Sequence, residues 1–241
     1  VHHASHGAVG MVIVEPAGSV WTEDRDTAAQ ARVAYRTPRG RQSFRELALV
    51  VQTDVPLHTD DPRFRDVDPR SGSAVPNLSD DVVDAGHKAF NYRTEPLWAR
   101  LGLPPTRDTD LIDHRRLDDL LSSGQGLPET PLLRVQAGEA FRVRVGFPSG
   151  HGRQLAFTLH GAAWAPDPHR RDGDGSVIDG VSAHGVVGSQ GPLGPGISLD
   201  VVPAYGAGGP SAVPGDYLYR DQTSFGLFDG LWGIMRVEAR P

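Results

Sequence analysis

The sequence contains no cysteine in its 241 residues. Disulfide bonds, zinc sites with thiolate ligands and a cysteine nucleophile are therefore excluded. Lysine is nearly absent as well, since Lys88 is the only one and arginine supplies almost all of the positive charge. No apolar run approaches the roughly 18 residues that a membrane-spanning helix needs, so no membrane span is predicted. The formal net charge of -6 disfavours nucleic acid as a partner.

Long helices have little room, because 29 glycines and 20 prolines interrupt the sequence throughout. The apolar stretches between them are short and rich in residues that favour strands. In FRVRV, residues 141–145, apolar and charged side chains alternate, which is typical of a strand with one face in a core and the other in water. The pattern predicts an all-β protein with strands at 10–14, 47–53, 132–135, 140–145, 155–159, 197–202, 216–219 and 232–237.

The remaining segments divide the chain unevenly. Leucines recur at helical spacing in 111–124 and a glycine ends the pattern, so this is the only predicted helix. Residues 55–86 are dense in Asp, Arg, Pro and Ser, which predicts a long surface loop. We expect one main domain over 44–241, a linker over 17–43 and a separate strand within 1–16. Because a single strand is not stable alone, it must complete a sheet of a neighbouring domain or dock on the main one.

The core is predicted from the same strands. Trp164, Trp232, Leu159 and Phe141 lie on predicted strands or at their ends. Aromatic side chains contribute large apolar areas to a core. We therefore expect all four side chains to be buried.

The chain opens with three histidines, His2, His3 and His6, in VHHASHGAVGMVIV. Clustered histidines fit a tag, a metal site or chance accumulation. The end of the chain repeats their spacing, which argues against a tag. Positions 1, 2, 6, 10 and 11 correspond to 221, 222, 226, 230 and 231 in RDQTSFGLFDGLWGIMRV. The two ends therefore look like copies of one motif.

This motif resembles the last loop and strand of a cupredoxin domain in the multicopper oxidase family. The family pattern is His-Cys-His, three residues, His, three residues, then Gly-Met or Gly-Leu. The resemblance implies that His2 is a ligand of the trinuclear copper cluster, that His6 has the place of the blue-copper histidine and that Met11 has that of the axial methionine. Val1 stands where the cysteine would be, so a complete blue-copper site is excluded. Copper there would need further imidazoles, from His3, from upstream residues or from another chain.

A second segment carries the same resemblance. GDYLYRDQ, residues 215–222, matches the family's entry to this loop, but Arg220, Asp221 and Gln222 stand where the family has His-Cys-His. AFNYRTEPL, residues 89–97, resembles the segment that follows the first strand of the domain. The likeness therefore extends over nearly the whole main domain. It implies a cupredoxin-like Greek-key β-sandwich or barrel with one short helix, and an N-terminal strand that completes a neighbouring cupredoxin domain.

FTLHGAAW, residues 157–164, resembles the family's His-x-His-Gly-His strand. It keeps His160, which the resemblance makes a candidate copper ligand, whereas Thr158 and Ala162 replace the other histidines. A core histidine satisfied by a backbone carbonyl is an equal alternative for His160. The main domain has thus lost most of the ligands that the family uses.

Two functions follow from this resemblance. In the first, the chain is a C-terminal fragment or subunit of a multicopper oxidase, which couples oxidation of a substrate to reduction of dioxygen to water at a copper cluster shared with other domains. Its partners are then the remaining cupredoxin domains of the same parent or another chain, its location is extracellular or in the cell envelope, and the isolated chain is inactive. In the second, it is a degenerate, copper-free domain that packs against active neighbours or against copies of itself. The reducing substrate is left open between a phenol, a metal ion and a nitrogen compound.

Overall fold

The computed structural model describes residues 8–24, 27–55, 87–103, 113–150, 154–169 and 185–240. Strands in these residues form two sheets. The first sheet contains β1 (Val20–Asp24), β2 (Thr27–Thr37), β3 (Gly40–Val55), β4 (His87–Phe90), β6 (Phe141–Phe147) and β9 (Ile197–Val201). The second contains β5 (Leu133–Gln136), β7 (Leu155–Leu159), β8 (Ser189–Leu193), β10 (Gly215–Asp221) and β11 (Trp232–Glu238).

Both sheets are mixed. The strand order is β1-β2-β3-β6-β9 in the first sheet, with β4 beside β3, and β5-β11-β10-β7-β8 in the second. The pairs β3–β6 and β5–β11 are parallel, whereas the other strand pairs are antiparallel. This two-sheet arrangement confirms the predicted all-β sandwich and agrees with the cupredoxin-like class.

The core lies between the inner faces of the two sheets. The apolar face of β6 is as FRVRV predicts, because Phe141, Val143 and Val145 all belong to one buried apolar cluster, but Arg144 on the opposite face is also buried and not in water. Leu159 of β7 belongs to the same cluster, so both sheets contribute to it. The predicted burial is confirmed for all four side chains, with exposed fractions of 0% for Trp164 and Trp232, 1% for Leu159 and 4% for Phe141.

Helices are short. They are α1 (Leu97–Arg100), α2 (Leu117–Leu120) and α3 (Ser224–Phe228), with 3-10 turns at His114–Arg116, Ser123–Gln125 and Gly209–Ser211. No helix of the described residues is long and apolar enough to cross a membrane.

The predicted helix at 111–124 is wrong as a continuous element. Only α2 is α-helical there, and 3-10 turns flank it on both sides; the start of the predicted range lies outside the described residues. Leu120 is the one residue of α2 that is fully buried, where it packs in a small cluster with Trp232. The side chain of Ser122 then accepts a hydrogen bond from the backbone N–H of Gly124, which begins a new turn.

The predicted linker at 17–43 is also wrong. These residues form β1, β2 and the start of β3, and β2 pairs with β3 from Gln30↔Leu47 to Thr37↔Gly40. Gly40 takes a positive φ of 112° at the turn between them. Small and charged residues fill β2, so backbone pairing rather than a long apolar pattern defines the strand. The main domain therefore begins before residue 44.

Residues 8–16, which we name the strap, do not form the strand predicted at 10–14. The strap is extended: Met11 and Ile13 are half-buried, while Val12 and Val14 are 91% and 84% exposed. It docks on the main domain through side chains, the second of the two alternatives for this segment. The predicted loop at 55–86 lies outside the described residues, apart from Val55 at the end of β3.

Candidate functional site

The pairing of β7 with β10 positions the main polar group of the second sheet. Arg220 is opposite Thr158, and the neighbouring pair Tyr219↔Leu159 is buried in the core. Because side chains alternate along a strand, Arg220 and Thr158 point to the outer face of the sheet. His160 follows β7 directly, and Gln222 follows β10. The sequence motifs therefore converge in space.

These side chains, together with Ser189 of β8, form what we name the Arg220 patch: Thr158, His160, Ser189, Arg220 and Gln222. Arg220 Nε donates to His160 Nε2 at 3.2 Å, and its Nη1 donates to the Asp221 carbonyl oxygen at 3.3 Å. The Thr158 hydroxyl lies 2.7 Å from Ser189 Oγ and 3.1 Å from Gln222 Oε1. Four of the five positions are those matched to copper-cluster ligands of the family.

His160 is held neutral by its surroundings. Burial lowers the pKa of its imidazole, and the positive charge of Arg220 lowers it further. Its Nε2 accepts the Arg220 hydrogen bond, so that nitrogen's lone pair is already used. A guanidinium in this place also repels a metal cation. Burial lowers the pKa of Arg220 as well, although Asp221 acts in the opposite direction.

Asp221, which stands where the family has cysteine, points into the domain. Its Oδ1 accepts the backbone N–H of Ala156 at 2.9 Å, and its Oδ2 accepts the Thr223 hydroxyl. Burial raises the pKa of Asp221, and these hydrogen bonds act against that rise. A Cβ on Gly226 would overlap Asp221 Oδ2. Gly226 is the position that corresponds to His6 in the other copy of the motif, so this loop has no room for a ligand side chain there.

The loop after β10 is fixed by a buried ion pair that the sequence motifs do not reveal. Lys88 Nζ lies 2.9 Å from Asp229 Oδ2, and the two side chains are only 2% and 9% exposed. The backbone N–H of Lys88 also donates to the Asp229 carbonyl oxygen at 3.3 Å. A single lysine next to Ala89 and Phe90 in a short strand was the available signal for this pair.

The cavity beside His160 is small. Its volume of about 20 Å³ is enough for one water molecule, and Tyr205, Tyr217 and Met235 contribute to its wall. Gly161 keeps a positive φ of 74° here, and a Cβ on it would lie 2.6 Å from the Tyr217 ring. This cavity does not fit an organic substrate.

Of the candidate metal ligands, the structure describes only Met11 and His160, and it does not bring these two together. His2, His3 and His6 lie outside the described residues. Met11 packs against Gly146 of the first sheet, whereas His160 follows a strand of the second. Across the described residues, no three His, Asp or Glu side chains are grouped so that they could hold a metal ion. The Arg220 patch therefore does not fit copper, since a guanidinium, a hydroxyl and an amide occupy the ligand positions.

The chain matches no known protein-family model and no curated protein. Among solved structures, it is similar to a copper nitrite reductase from Nitrosomonas europaea, with 13% identity over 79% of this chain and 48% of that one, at a TM-score of 0.36. It is also similar to a blue copper oxidase from the same organism. The identity is 15% over 88% of this chain and 56% of that one, at a TM-score of 0.36. A multicopper oxidase called mgLAC is 20% identical over 46% of this chain and 32% of its own, at a TM-score of 0.30. The chain thus spans about a third to just over half of these proteins, and TM-scores this low carry no argument about activity.

Proposed function

We propose that the chain is a C-terminal part of a multicopper oxidase and that its main domain holds no copper of its own. The proposal rests on one observation: positions 158, 160, 220 and 222, matched to cluster ligands by the sequence motifs, lie together on one outer face. In this proposal that face is turned toward the active domains of the parent protein. The parent couples oxidation of a substrate to reduction of dioxygen to water, and its location is extracellular or in the cell envelope.

The residues of the main domain then act by packing rather than by ligation. Arg220 presents a permanent positive charge, and in the described residues no carboxylate lies within ion-pair distance of it. His160 stays neutral and orients the guanidinium through its Nε2. A carboxylate of a neighbouring domain is the natural counterpart of such a surface. Copper, if it is bound through this chain, is held by His2 and His6, with His3 nearby and with imidazoles from other domains or another chain.

A second candidate function is a copper-free domain with a purely structural role, in a complex or in an assembly of its own copies. Two observations favour it. The Nε2 of His160 accepts a hydrogen bond from Arg220, so its lone pair is not free for a metal. The carboxylate of Asp221 fills the space beside Gly226 and is satisfied by a backbone N–H and a hydroxyl.

One experiment separates the two candidates in the native parent protein or complex. We expect the double change His2→Ala, His6→Ala to remove copper, measured by elemental mass spectrometry, and to abolish oxygen uptake with a phenolic substrate. The matched change His160→Ala is expected to leave the copper content unchanged. If the double variant keeps both copper and oxygen uptake, the oxidase proposal fails and the structural role stands. If His160→Ala removes copper, the assignment of the Arg220 patch as metal-free is wrong.

A further inference from the structure

The strap is held on the first sheet by two side chains. Met11 lies over Gly146, where an added Cβ would come within 2.8 Å of the Met11 sulfur. Glu15, only 5% exposed, reaches the arginines of β6. The strap has no strand pairing in the structure, so these contacts and not a β-ladder keep it in place. An anchor made of few side chains is easily changed by the ionisation of one of them.

Glu15 joins a cluster centred on Arg144. Arg144 Nε lies 2.8 Å from Glu46 Oε1, and Nη1 lies 2.5 Å from Asp200 Oδ2. Its Nη2 is 3.6 Å from Glu15 Oε1, beyond hydrogen-bond distance. One guanidinium therefore faces three carboxyl groups. Burial acts to lower the pKa of Arg144, but the hydrogen bonds to Asp200 and Glu46 raise it by more. The guanidinium therefore stays charged.

Other charged groups on this face do not balance the excess of acid. Arg142 is 4.0 Å from Glu15 Oε2, and its guanidinium lies 3.9 Å from the centre of the Phe44 ring. His169 is 62% exposed and contacts Asp200 from the outside at 2.8 Å. Glu23 of β1 lies on the same face, two strands away from Glu46, and is exposed. Burial acts to raise the pKa of Asp200, but hydrogen bonds from Arg144 and His169 lower it by more, so Asp200 is ionised.

The buried carboxyl oxygens lack enough donors if both glutamates are ionised. Both oxygens of Glu15 and the Oε2 of Glu46 are buried without a hydrogen-bond donor in the structure. A single proton between the two carboxyl groups supplies one. Burial is the largest cause that raises the pKa of Glu46, to about 8; the neighbouring Glu15 carboxyl adds to the rise, and Arg144 acts against it. Glu46 therefore keeps its proton at neutral pH.

We propose that a proton shared by Glu15 and Glu46 latches the strap onto the first sheet, and that the strap is released when alkaline conditions remove this proton. Without the proton, two buried carboxylates face each other. Arg144 is already paired with Asp200, so it cannot neutralise both of them. Repulsion then acts directly on Glu15, the residue that anchors the strap. The partner in this device is a segment of the same chain, and the device does not depend on copper or on the proposed oxidase.

The direction of the pH dependence follows from the two states of Glu46. In the docked state its pKa is raised to about 8, and in the released state it returns toward the ordinary value of 4.5. The docked state binds the proton more tightly, so its population relative to the released state is greatest in acid. The ratio of docked to released protein falls by up to about tenfold per pH unit between pH 4.5 and about pH 8, and it levels off above about pH 8.

Methionine labelling tests the proposal without relying on activity. The chain has two methionines, and carbon-13 labelling of their methyl groups gives one NMR signal each. Met235 is 2% exposed in the core and reports whether the domain stays folded. Between about pH 5 and about pH 9, we expect the Met11 signal to move toward the position of a solvated methionine while the Met235 signal stays constant. A Met11 signal that stays constant over this range overturns the proposal.

Variants assign the transition to the glutamate pair. In Glu46→Gln the amide supplies a permanent donor to Glu15, so we expect Met11 to remain docked over the whole range. If that variant disturbs Met235, Glu15→Gln decides the matter, because its amide donates to Glu46 in the same way. His169→Gln is the matched control, since histidines also titrate near neutral pH, and it is expected to leave the transition unchanged. A transition that survives in both glutamate variants, or disappears in His169→Gln, contradicts the latch.

Discussion

Arg144 and Arg220 lie on the outer faces of opposite sheets and have contrasting surroundings. Arg144 is 8% exposed and faces Glu15, Glu46 and Asp200. Arg220 donates to a neutral imidazole and to a backbone carbonyl, and in the described part of the chain no carboxylate is paired with it. The first cation faces more than one carboxyl group, whereas the second has no ion pair with any residue that the structure describes. The strap completes the first face, and in our proposal a neighbouring domain completes the second.

The largest expected effect comes from removing Arg144, the buried one of the two arginines. Arg144→Met leaves Glu46 and Asp200 without their buried partner, and removal of one member of a buried ion pair costs about 3–5 kcal/mol. We expect a loss of this size in the free energy of unfolding, measured by urea denaturation at neutral pH. The loss should be smaller below the ordinary Glu46 pKa of 4.5, where Glu46 is protonated in both the folded and the unfolded state. Arg134→Met is the control, because Arg134 and Glu238 are 45% and 42% exposed and such a pair contributes less than about 1 kcal/mol. Equal losses in the two variants would contradict the role given to Arg144.

A change of intermediate size concerns a carboxylate that no arginine pairs with. Asp221 is stabilised by a backbone N–H, a hydroxyl and close packing against Gly226. Gly226→Ala forces Asp221 to move, and overpacking of this kind costs about 1–3 kcal/mol. In the Asp221→Ala background, the same change should cost clearly less, because the overlapping carboxylate is gone. Equal costs in the two backgrounds, measured as a double-mutant cycle by thermal unfolding, would show that Asp221 does not fill this space.

The smallest expected effect comes from removing the charge of Arg220, the second of the two arginines. Arg220→Gln removes the charge beside His160 but not its burial, so the pKa of His160 should rise and still remain below its ordinary value. An NMR titration of the His160 ring measures this rise. The free energy of unfolding should change by less than about 1 kcal/mol, since a half-buried arginine without an ion pair adds little. Arg236→Gln, which disrupts an ion pair with Asp216, is the matched control. A His160 pKa that rises equally in both variants would contradict direct contact between Arg220 and His160.

The second sheet could largely be predicted from the sequence. The predicted range 155–159 coincides with β7, and the predicted range 232–237 lies within β11. Two motifs, FTLHGAAW and GDYLYRDQ, marked His160 and Arg220 as positions of one family pattern, and the pairing of β7 with β10 brings these positions together. Regular local patterns therefore predicted the strands, whereas the Arg220 patch that they carry is found only in the structure.

The first sheet was predicted less well, for physical reasons. Strand β2 has no long apolar pattern, since pairing with β3 defines it, and a linker was expected instead. The apolar stretch at 10–14 had the pattern of a strand, but side-chain packing on β6 holds it without a ladder. The contact of Glu15 with Glu46 joins residues far apart in the chain, and no local pattern predicts the pKa shift that results.

The buried position of Lys88 has a consequence for chemical labelling. It is the only lysine in the chain, its side chain is 2% exposed, and its amino group donates a hydrogen bond to Asp229. Reagents that acylate primary amines need a solvent-exposed, uncharged nitrogen, so the folded domain offers them no side-chain target. Acylation at Lys88 therefore marks chains in which β4 has separated from the loop after β10. The rate of that single modification is a direct measure of how often this part of the domain opens.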